Sequence, residues 1–279
     1  MNRHFEVAAG SISGREHLRV GKNNQDACAV KFLDQAVVAV VCDGCGSAAH
    51  SEVGAKLGSQ MTIAVIGQML EKNAGKCGNP GFWQQVQEAL LQRLDQLIVA
   101  WGDDRPQAIR DYWLFTIVGT VITSSITTVF ALGDGTIVLN GQVLPLPTFA
   151  NNAPPYLAYG LMEPQQVSLA PIQLQFQIHA CLPTQEVQSM VIGSDGVQDL
   201  IAAAERPLPG RAEWVGALDQ FWLDDRYFRN PDQIRRRLAL MNREVAKPDW
   251  QRQQMNRESG LLPDDTTLVV LRRKGRSGR

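Results

Sequence analysis

Two apolar runs that end abruptly in Asp-Gly constrain the fold of this chain more than any other feature. The run VVAVVCDG carries Asp43 and the run MVIGSDG carries Asp195, and each predicts a buried strand followed by a tight turn. A third acidic position, the pair Asp264 and Asp265, precedes the last apolar run, TTLVVL. Because unpaired carboxylates are costly to bury in apolar surroundings, the sequence predicts that these distant acids converge on cations.

Short runs rich in valine, isoleucine and threonine predict the strands. They cover residues 5–12, 27–32, 36–42, 115–122, 127–132, 136–139, 173–179, 187–193 and 267–272. The dipeptides Asp134-Gly135 and Asn140-Gly141 separate neighbouring runs as hairpin turns do, and they predict antiparallel pairing.

Helical patterns interrupt these strands. They cover residues 51–70, 80–101, 196–204, 212–222 and 231–245, and Asn-Pro pairs mark the start of the second and the last. The predicted order is strands, a long helical pair, a meander of strands and further helices. This order is typical of an α+β fold rather than of alternating βαβ units. Two antiparallel sheets with helices outside fit this order best.

Composition bounds the class of protein. The chain has 279 residues, 44% of them hydrophobic, and a net charge of -1, so it can bury a large core and has no global basic field for nucleic acid. We expect residues 1–273 to form a single catalytic domain and residues 274–279 a basic, solvated tail. No signal pattern and no membrane-length apolar run are evident, so we expect a soluble, cytoplasmic monomer without membrane contact.

The residue types of the acidic cluster indicate its chemistry. A set made of carboxylates selects hard cations such as magnesium, manganese or calcium. Two such cations held close together can share a water or hydroxide and clamp a phosphoryl group, which requires no protein nucleophile. The sequence contains no Walker loop, H-E-x-x-H or G-x-S-x-G motif, so metal-assisted phosphate ester hydrolysis is the favoured chemistry.

The ordered motifs QDA, strand-DG-x-G-S, strand-GDG, strand-SDG-x-x-D and DD-T-strand resemble the metal-dependent protein phosphatases of the 2C type. The resemblance runs from about residue 10 to residue 273 and is strongest to a divergent bacterial branch. It implies a β-sandwich of two antiparallel sheets flanked by α-helices on both outer faces. It also implies two or three manganese or magnesium ions per chain, and hydrolysis of phosphoserine or phosphothreonine in a protein substrate by a water or hydroxide bridging two metals.

The resemblance also assigns roles to single residues. Asp43 would bridge both metals, the carbonyl of Gly44 would ligate one, and Asp195 and Asp264 would hold the other. Asp26 would act through metal-bound water and completes the expected catalytic set with Asp43, Asp195 and Asp264. The resemblance gives supporting roles to Gln25, Glu52, Asp134 and Asp199. His17 lies nine residues before Asp26 and His50 seven after Asp43, so we expect both to reach the site. Asp265 stands where the family often has an asparagine, and we expect it beside the ligands. The Pro-rich stretch Leu144–Pro164 occupies the position of the family's variable flap.

Three departures from the family pattern matter. Gly21 stands where the phosphate-gripping arginine is usual, and Arg19 or Lys22 could bind phosphate instead. Gln25 replaces a glutamate, so one negative charge is lost. Cys45 stands where some members carry a histidine. Two alternatives therefore stay open: a catalytically weak or inactive phosphatase-fold module that binds or regulates a partner, and a phosphatase of small molecules.

Overall fold

The fold is given by a computed structural model that describes residues 4–73, 76–101, 104–150, 153–163 and 171–275. Its strands are β1 (Phe5–Ile12), β2 (Asp26–Phe32), β3 (Ala36–Asp43), β4 (Ile117–Thr123), β5 (Ile126–Leu132), β6 (Thr136–Leu139), β7 (Gln142–Leu144), β8 (Gln177–Pro183), β9 (Ser189–Gly193), β10 (Val245–Asp249), β11 (Gln254–Glu258) and β12 (Thr266–Arg273). Its helices are α1 (Arg15–Val20), α2 (Ser51–Asn73), α3 (Pro80–Trp101), α4 (Arg105–Tyr112), α5 (Gly196–Ala202), α6 (Gln220–Leu223), α7 (Arg226–Arg229) and α8 (Gln233–Met241).

Two five-stranded antiparallel sheets form the body of the protein. One has the strand order β1-β12-β9-β6-β7 and the other the order β2-β3-β4-β5-β8, while β10 and β11 pair only with each other. The sheets pack face to face through an apolar layer that includes Phe5 and Val269 from the first sheet and Val41 and Val118 from the second. The predicted sandwich of antiparallel sheets is confirmed.

Helices cover both outer faces, which explains why the central strands are apolar without interruption. In β3, Val37 and Val41 face the opposite sheet, whereas Val38 and Val40 pack towards α2 and α3. Helices α5 to α8 cover the other sheet, where Val270 of β12 contributes to a second outer cluster. Strands buried on both faces lose the alternation of polar and apolar residues.

Two local signals in the sequence are confirmed by the structure: Asn79-Pro80 at the start of α3 and Asn140-Gly141 in the hairpin between β6 and β7. The Oδ1 atom of Asn79 accepts a hydrogen bond of 2.8 Å from the backbone N–H of Gly81 and caps the helix that begins at Pro80. Asn140 and Gly141 have φ values of 51° and 82° and connect β6 to β7 as a hairpin. Both central residues of such a turn require positive φ, which Asn-Gly adopts readily.

The Asp134-Gly135 turn is not a hairpin, because β5 and β6 belong to different sheets. Gly133 and Gly135 have φ values of 99° and 140°, which a residue with a Cβ atom rarely adopts. The turn therefore carries the chain across the sandwich and leaves Asp134 at the end where the sheets come together.

Two further sequence predictions are corrected. The helix expected over 212–222 is limited to Gln220–Leu223, because the buried guanidinium of Arg237 donates to the carbonyls of Trp214 and Val215, which a longer helix would need for itself. The last predicted helix ends at Met241, and Val245 begins β10 instead. Within the described ranges, none of the helices has both the length and the apolar character needed to cross a bilayer.

Candidate active site

The acidic residues gather because the strands that carry them end at the same edge of the sandwich. Asp26 begins β2 and Asp43 ends β3, and the two stand opposite each other in the antiparallel register. Asp195 lies between β9 and α5, and Asp264 lies just before β12, which is the neighbour of β9. Both sheets thus deliver carboxylates to one place.

A cleft of about 300 Å³ opens at this edge, and Asp43, Asp134, Asp195 and Asp264 line it. The other lining residues are His17, Gln25, Gly44, Cys45, Gly46, Ser47, Thr116, Pro154, Tyr156 and Asp265. Among these lining residues there is no lysine or arginine, so the cleft is strongly negative and suits cations.

The carboxyl groups of Asp43 and Asp195 are close enough for Asp43 to donate a hydrogen bond to Asp195. Burial raises the pKa of Asp43 well above its ordinary value, and the charges of Asp26 and Asp195 raise it further. Burial followed by the charge of Asp264 raises the pKa of Asp195. Without cations, these shifts therefore favour the protonated form of the pair over two adjacent carboxylates.

Two neighbouring acids have raised pKa values for the same reasons. Burial raises the pKa of Asp26 to about 8, against an opposing hydrogen bond from Ser194, and the charge of Asp265 adds to the rise. Burial and the charge of Asp195 raise the pKa of Asp134 to about 6. Like charges in a buried place disfavour ionisation unless cations neutralise them.

Unpartnered buried oxygens indicate that the cleft is built for cations. Gln25 Oε1 and Asp26 Oδ1 accept no hydrogen bond from any described residue, although these residues are only 3% and 4% exposed. A buried acceptor without a donor costs about 1–3 kcal/mol. Hard cations with their water shells satisfy such oxygens, so the residues present fit manganese or magnesium.

Backbone contacts fix the turn that carries Asp43 and Gly44. A Cβ atom at residue 44 would lie 2.8 Å from the carbonyl oxygen of Gln25 and from the Oγ atom of Ser51, so only glycine fits without displacement. Ser51 Oγ donates to the carbonyl of Cys45 at 2.9 Å and accepts from Gln25 Nε2 at 2.7 Å. The Gly44 carbonyl is therefore held within a rigid turn.

Asp265 has a structural role in addition to lining the cleft. Its Oδ1 accepts from the backbone N–H of Gly14 at 2.7 Å, and its Oδ2 accepts from that of Gln25 at 2.5 Å. These bonds tie the segments before α1 and β2 to the start of β12. His17 Nδ1 lies 2.9 Å from Asp265 Oδ1, and His17, Asp264 and Asp265 each offer a ligand atom within 4.8 Å of the others.

Asp26 and Asp199 lie close to the cleft but are not among its lining residues. Asp26 is buried, and its Oδ2 accepts a hydrogen bond of 2.7 Å from Ser194 Oγ. Asp199, on α5, is half-buried, and burial together with the charge of Asp264 raises its pKa. Asp26 is therefore connected to the cleft through Ser194, which precedes Asp195, and Asp199 through its electrostatic interaction with Asp264.

The two cations expected to bind phosphate are placed differently. Lys22 Nζ donates to the carbonyl of Gly46 at 2.6 Å, which puts its charge at the rim of the cleft. Arg19 is exposed on α1 and pairs with Glu16 at 3.3 Å. Only Lys22 therefore contacts a residue of the cleft wall.

Two other residues expected to support the site have partners outside the cleft lining. The ring of His50 stacks on Tyr112 with a centroid distance of 4.9 Å. Glu52 Oε1 accepts from Asn23 Nδ2 at 3.1 Å. These contacts favour structural roles near the start of α2.

Further residues that were not predicted from the sequence also contribute to the site. Ser194 bonds Asp26, and its place directly before Asp195 was a usable signal. Thr116 donates its backbone N–H to the carbonyl of Asp43 at 2.8 Å, and Tyr156 lines the cleft, but neither stands in a recognisable motif. Tyr156 belongs to the Pro-rich stretch, of which residues 151–152 and Pro164 lie outside the described residues.

Residues 13–224 match the sequence model of a family described as "Protein phosphatase 2C". No curated protein matches the chain by sequence.

Solved structures share the fold over almost the whole chain. A structure described as a bacterial serine phosphatase is 14% identical, with 99% of this chain and 100% of that chain covered and a TM-score of 0.54. The serine/threonine phosphatase Stp1 from Staphylococcus aureus is 12% identical, with coverage of 97% and 96% and a TM-score of 0.53. At such low identity, the likeness establishes the fold alone.

Proposed function

The chain belongs to the protein phosphatase 2C family, and we propose that it is a metal-dependent serine/threonine phosphatase that acts on phosphorylated proteins. The observation that carries this proposal is the convergence of Asp43, Asp134, Asp195 and Asp264 in one cleft beside buried oxygens that lack donors. Such a cluster is unfavourable by itself and becomes favourable when divalent cations bind.

The residues proposed to hold two or three manganese or magnesium ions are Asp43, the carbonyl of Gly44, Asp195 and Asp264. When bound, such ions activate water for attack on phosphorus and offset the charge of the phosphoryl oxygens. Gln25 Oε1 and Asp26 Oδ1, which are buried and accept no hydrogen bond from any described residue, are the proposed acceptors for the water that surrounds the ions. Asp134 adds a further carboxylate to the lining of the cleft.

The protein's own cation at the site is Lys22. Its ammonium group already lies against the carbonyl of Gly46, so it can turn to a phosphate oxygen at little cost. A lysine binds as a point charge and gives less orientation than the fork of an arginine. We therefore propose weaker phosphate binding than an arginine at this position would give, with turnover retained.

The absence of an arginine from the cleft lining and the neutral Gln25 favour a second candidate function, a catalytically weak module that binds a partner. Small-molecule phosphate ester hydrolysis is also compatible with an open rim. The cytoplasmic location, the monomeric state and the lack of nucleic-acid and membrane partners stay predictions.

One experiment separates these functions. The purified chain is assayed with p-nitrophenyl phosphate, phosphoserine peptides, nucleotides and sugar phosphates, with manganese and with a chelator. We expect manganese-dependent turnover that is highest on phosphopeptides. Metal-dependent turnover confined to nucleotides or sugar phosphates would indicate the small-molecule enzyme. No turnover of any substrate, in a protein that binds manganese, would indicate the binding module.

A further inference from the structure

An apolar groove leaves the acidic cleft on the side of β7. Asp134 and Asp195 line both the cleft and the groove, so the two spaces are continuous. The groove has a volume of about 470 Å³, and most of its wall comes from β7 and the segment that follows it, including Leu144, Leu146 and Phe149.

A second hollow of about 380 Å³ continues the groove across the outer face of the same sheet. It shares Val143 and Ile201 with the groove and extends to Trp222 and Leu223. Val143 is 59% exposed and Leu223 is 68% exposed. Exposed apolar side chains along a continuous path from a reactive cleft are typical of a binding surface.

The backbone along the groove also suits an extended chain. Strand β7 is the last strand of its sheet and pairs only with β6. Val143 stands opposite Val138 in a two-residue hairpin, so its N–H and C=O groups point away from β6. An extended peptide can bond such an edge while its side chains enter apolar pockets.

Charge restricts the occupant further. The charged side chains among the described lining residues are Asp134 and Asp195 at the cleft end and Asp219 at the far end, and all three are acidic. An acidic peptide would be repelled along the whole path, whereas aliphatic residues would bury apolar area.

We propose that this groove binds the part of a phosphoprotein substrate that flanks the phosphoresidue, in an extended conformation and with aliphatic rather than acidic side chains. The inference rests on the proposed function, because it takes the phosphoryl group to lie in the acidic cleft. Continuity of the groove with that cleft is the reason that the substrate chain is its occupant.

The test uses a matched pair of variants. Val143→Lys places a charge in the groove, and Val99→Lys places one on α3, which covers the other sheet, at a residue that is 65% exposed. The substrates are a peptide with leucines on both sides of a phosphoserine, the same peptide with aspartates in their place, and p-nitrophenyl phosphate. The last is too small to extend from the cleft into the groove.

We expect the wild-type protein to favour the leucine peptide about 10-fold in kcat/KM. Val143→Lys should lower kcat/KM for the leucine peptide about 5- to 10-fold, raise it for the aspartate peptide and leave p-nitrophenyl phosphate unchanged. Val99→Lys should change none of the three. Equal turnover of both peptides by the wild-type protein, or equal effects of the two variants, would overturn the inference.

Binding measurements separate this failure from failure of the proposed function. The anisotropy of both fluorescently labelled phosphopeptides is measured with wild-type protein and with Val143→Lys. If p-nitrophenyl phosphate is turned over but Val143→Lys does not alter peptide binding, the groove inference is wrong and the enzyme stands. If no substrate is turned over but Val143→Lys still reverses the peptide preference in binding, the proposed function is wrong and the groove stands.

Discussion

At the scale of single residues, the site depends most on Asp43. It lies opposite Asp26 in the sheet, and the charges of Asp26 and Asp195 both raise its pKa, so like charges act on it from two sides. Its side chain is therefore costly to ionise in the metal-free protein and becomes favourable when cations bind.

Asp43→Asn should have opposite effects on activity and on stability. We expect turnover of p-nitrophenyl phosphate to fall about 100-fold or more, because the proposed ligand to both metals is lost. In the presence of a chelator, the free energy of unfolding should rise by about 1 kcal/mol, because one repelling carboxylate is removed. Activity assays and urea denaturation measure the two effects.

Asp219→Asn is the control for this variant, since Asp219 is exposed at the start of α6. It should alter neither activity nor stability by a measurable amount. Full activity of Asp43→Asn, or a clear loss of metal-free stability, would contradict the role given to Asp43.

Lys22 and Arg19 offer a second comparison between single residues. Lys22→Ala should lower kcat/KM for p-nitrophenyl phosphate about 3- to 10-fold, mainly through KM, because a cation at the rim is lost. Arg19→Ala should have no effect, because its guanidinium pairs with Glu16 on an exposed helix. If Arg19→Ala lowers kcat/KM and Lys22→Ala does not, Arg19 rather than Lys22 binds the phosphate.

Much of the site was predictable from sequence because several carboxylates beside apolar strands are unfavourable together unless protons or cations neutralise them. Asp43, Asp195 and Asp264 all line one cleft, as the apolar runs beside them indicated. Thr116 and Tyr156 were not predictable, because they reach the cleft through tertiary packing and have no local signal. His50 and Glu52 were close to Asp43 in sequence, but the direction in which α2 leaves the turn places their side chains elsewhere.

At the scale of elements, helix α2 supports the site and packs by a close backbone contact against the end of α4. Gly54 lies in the second turn of α2, and a Cβ atom there would approach the carbonyl oxygen of Tyr112 to 1.8 Å. Ser51, which bonds Gln25 and the Cys45 carbonyl, lies one turn earlier on the same helix. The packing of α2 therefore determines how well the cleft is supported.

Gly54→Ala and Gly67→Ala should change the free energy of unfolding in opposite directions, although both residues lie in α2. At residue 54 the clash forces α2 away from α4, and we expect a loss of about 2–3 kcal/mol in unfolding free energy together with reduced metal affinity. At residue 67 the nearest atom to a new Cβ would be the flexible Lys31 Nζ at 3.4 Å, so a gain of about 0.5–1 kcal/mol is expected. Chemical denaturation measures both, and a stable Gly54→Ala protein would contradict the packing.

Elements with strong local signals were predicted, and those defined by distant partners were not. Strands β1 and β6 begin and end where their apolar runs do. The segment before α6 has a helical pattern, but Arg237 from α8 takes up its carbonyl groups. The hairpin of β10 and β11 is exposed and largely polar, so it carries little hydrophobic pattern.

At the scale of the whole molecule, the sandwich concentrates acids from both sheets at one end and thereby makes metal-free stability depend on pH. The pKa of Asp26 is raised from 3.8 to about 8 and that of Asp134 from 3.8 to about 6. The folded chain therefore binds these protons more tightly than the unfolded chain. Their contribution to stability is complete below about pH 4 and is lost as pH rises through 6 and 8.

We expect the unfolding free energy in chelator to fall on the order of 3 kcal/mol between pH 5 and pH 8. Added manganese should reverse this loss at pH 8, because cations bind the deprotonated carboxylates. Urea denaturation at several pH values, with chelator and with manganese, measures both effects. A metal-free protein that becomes more stable between pH 5 and pH 8 would contradict the electrostatics described here.

The most direct test of the central claim is anomalous scattering from crystals grown with manganese. We expect two or three manganese peaks in the cleft, bonded to Asp43, the Gly44 carbonyl, Asp195 and Asp264. Crystals of the Asp43→Asn variant should lose at least one of these peaks. A cleft without any manganese at millimolar concentration, with these carboxylates directed to separate regions of solvent, would contradict the account.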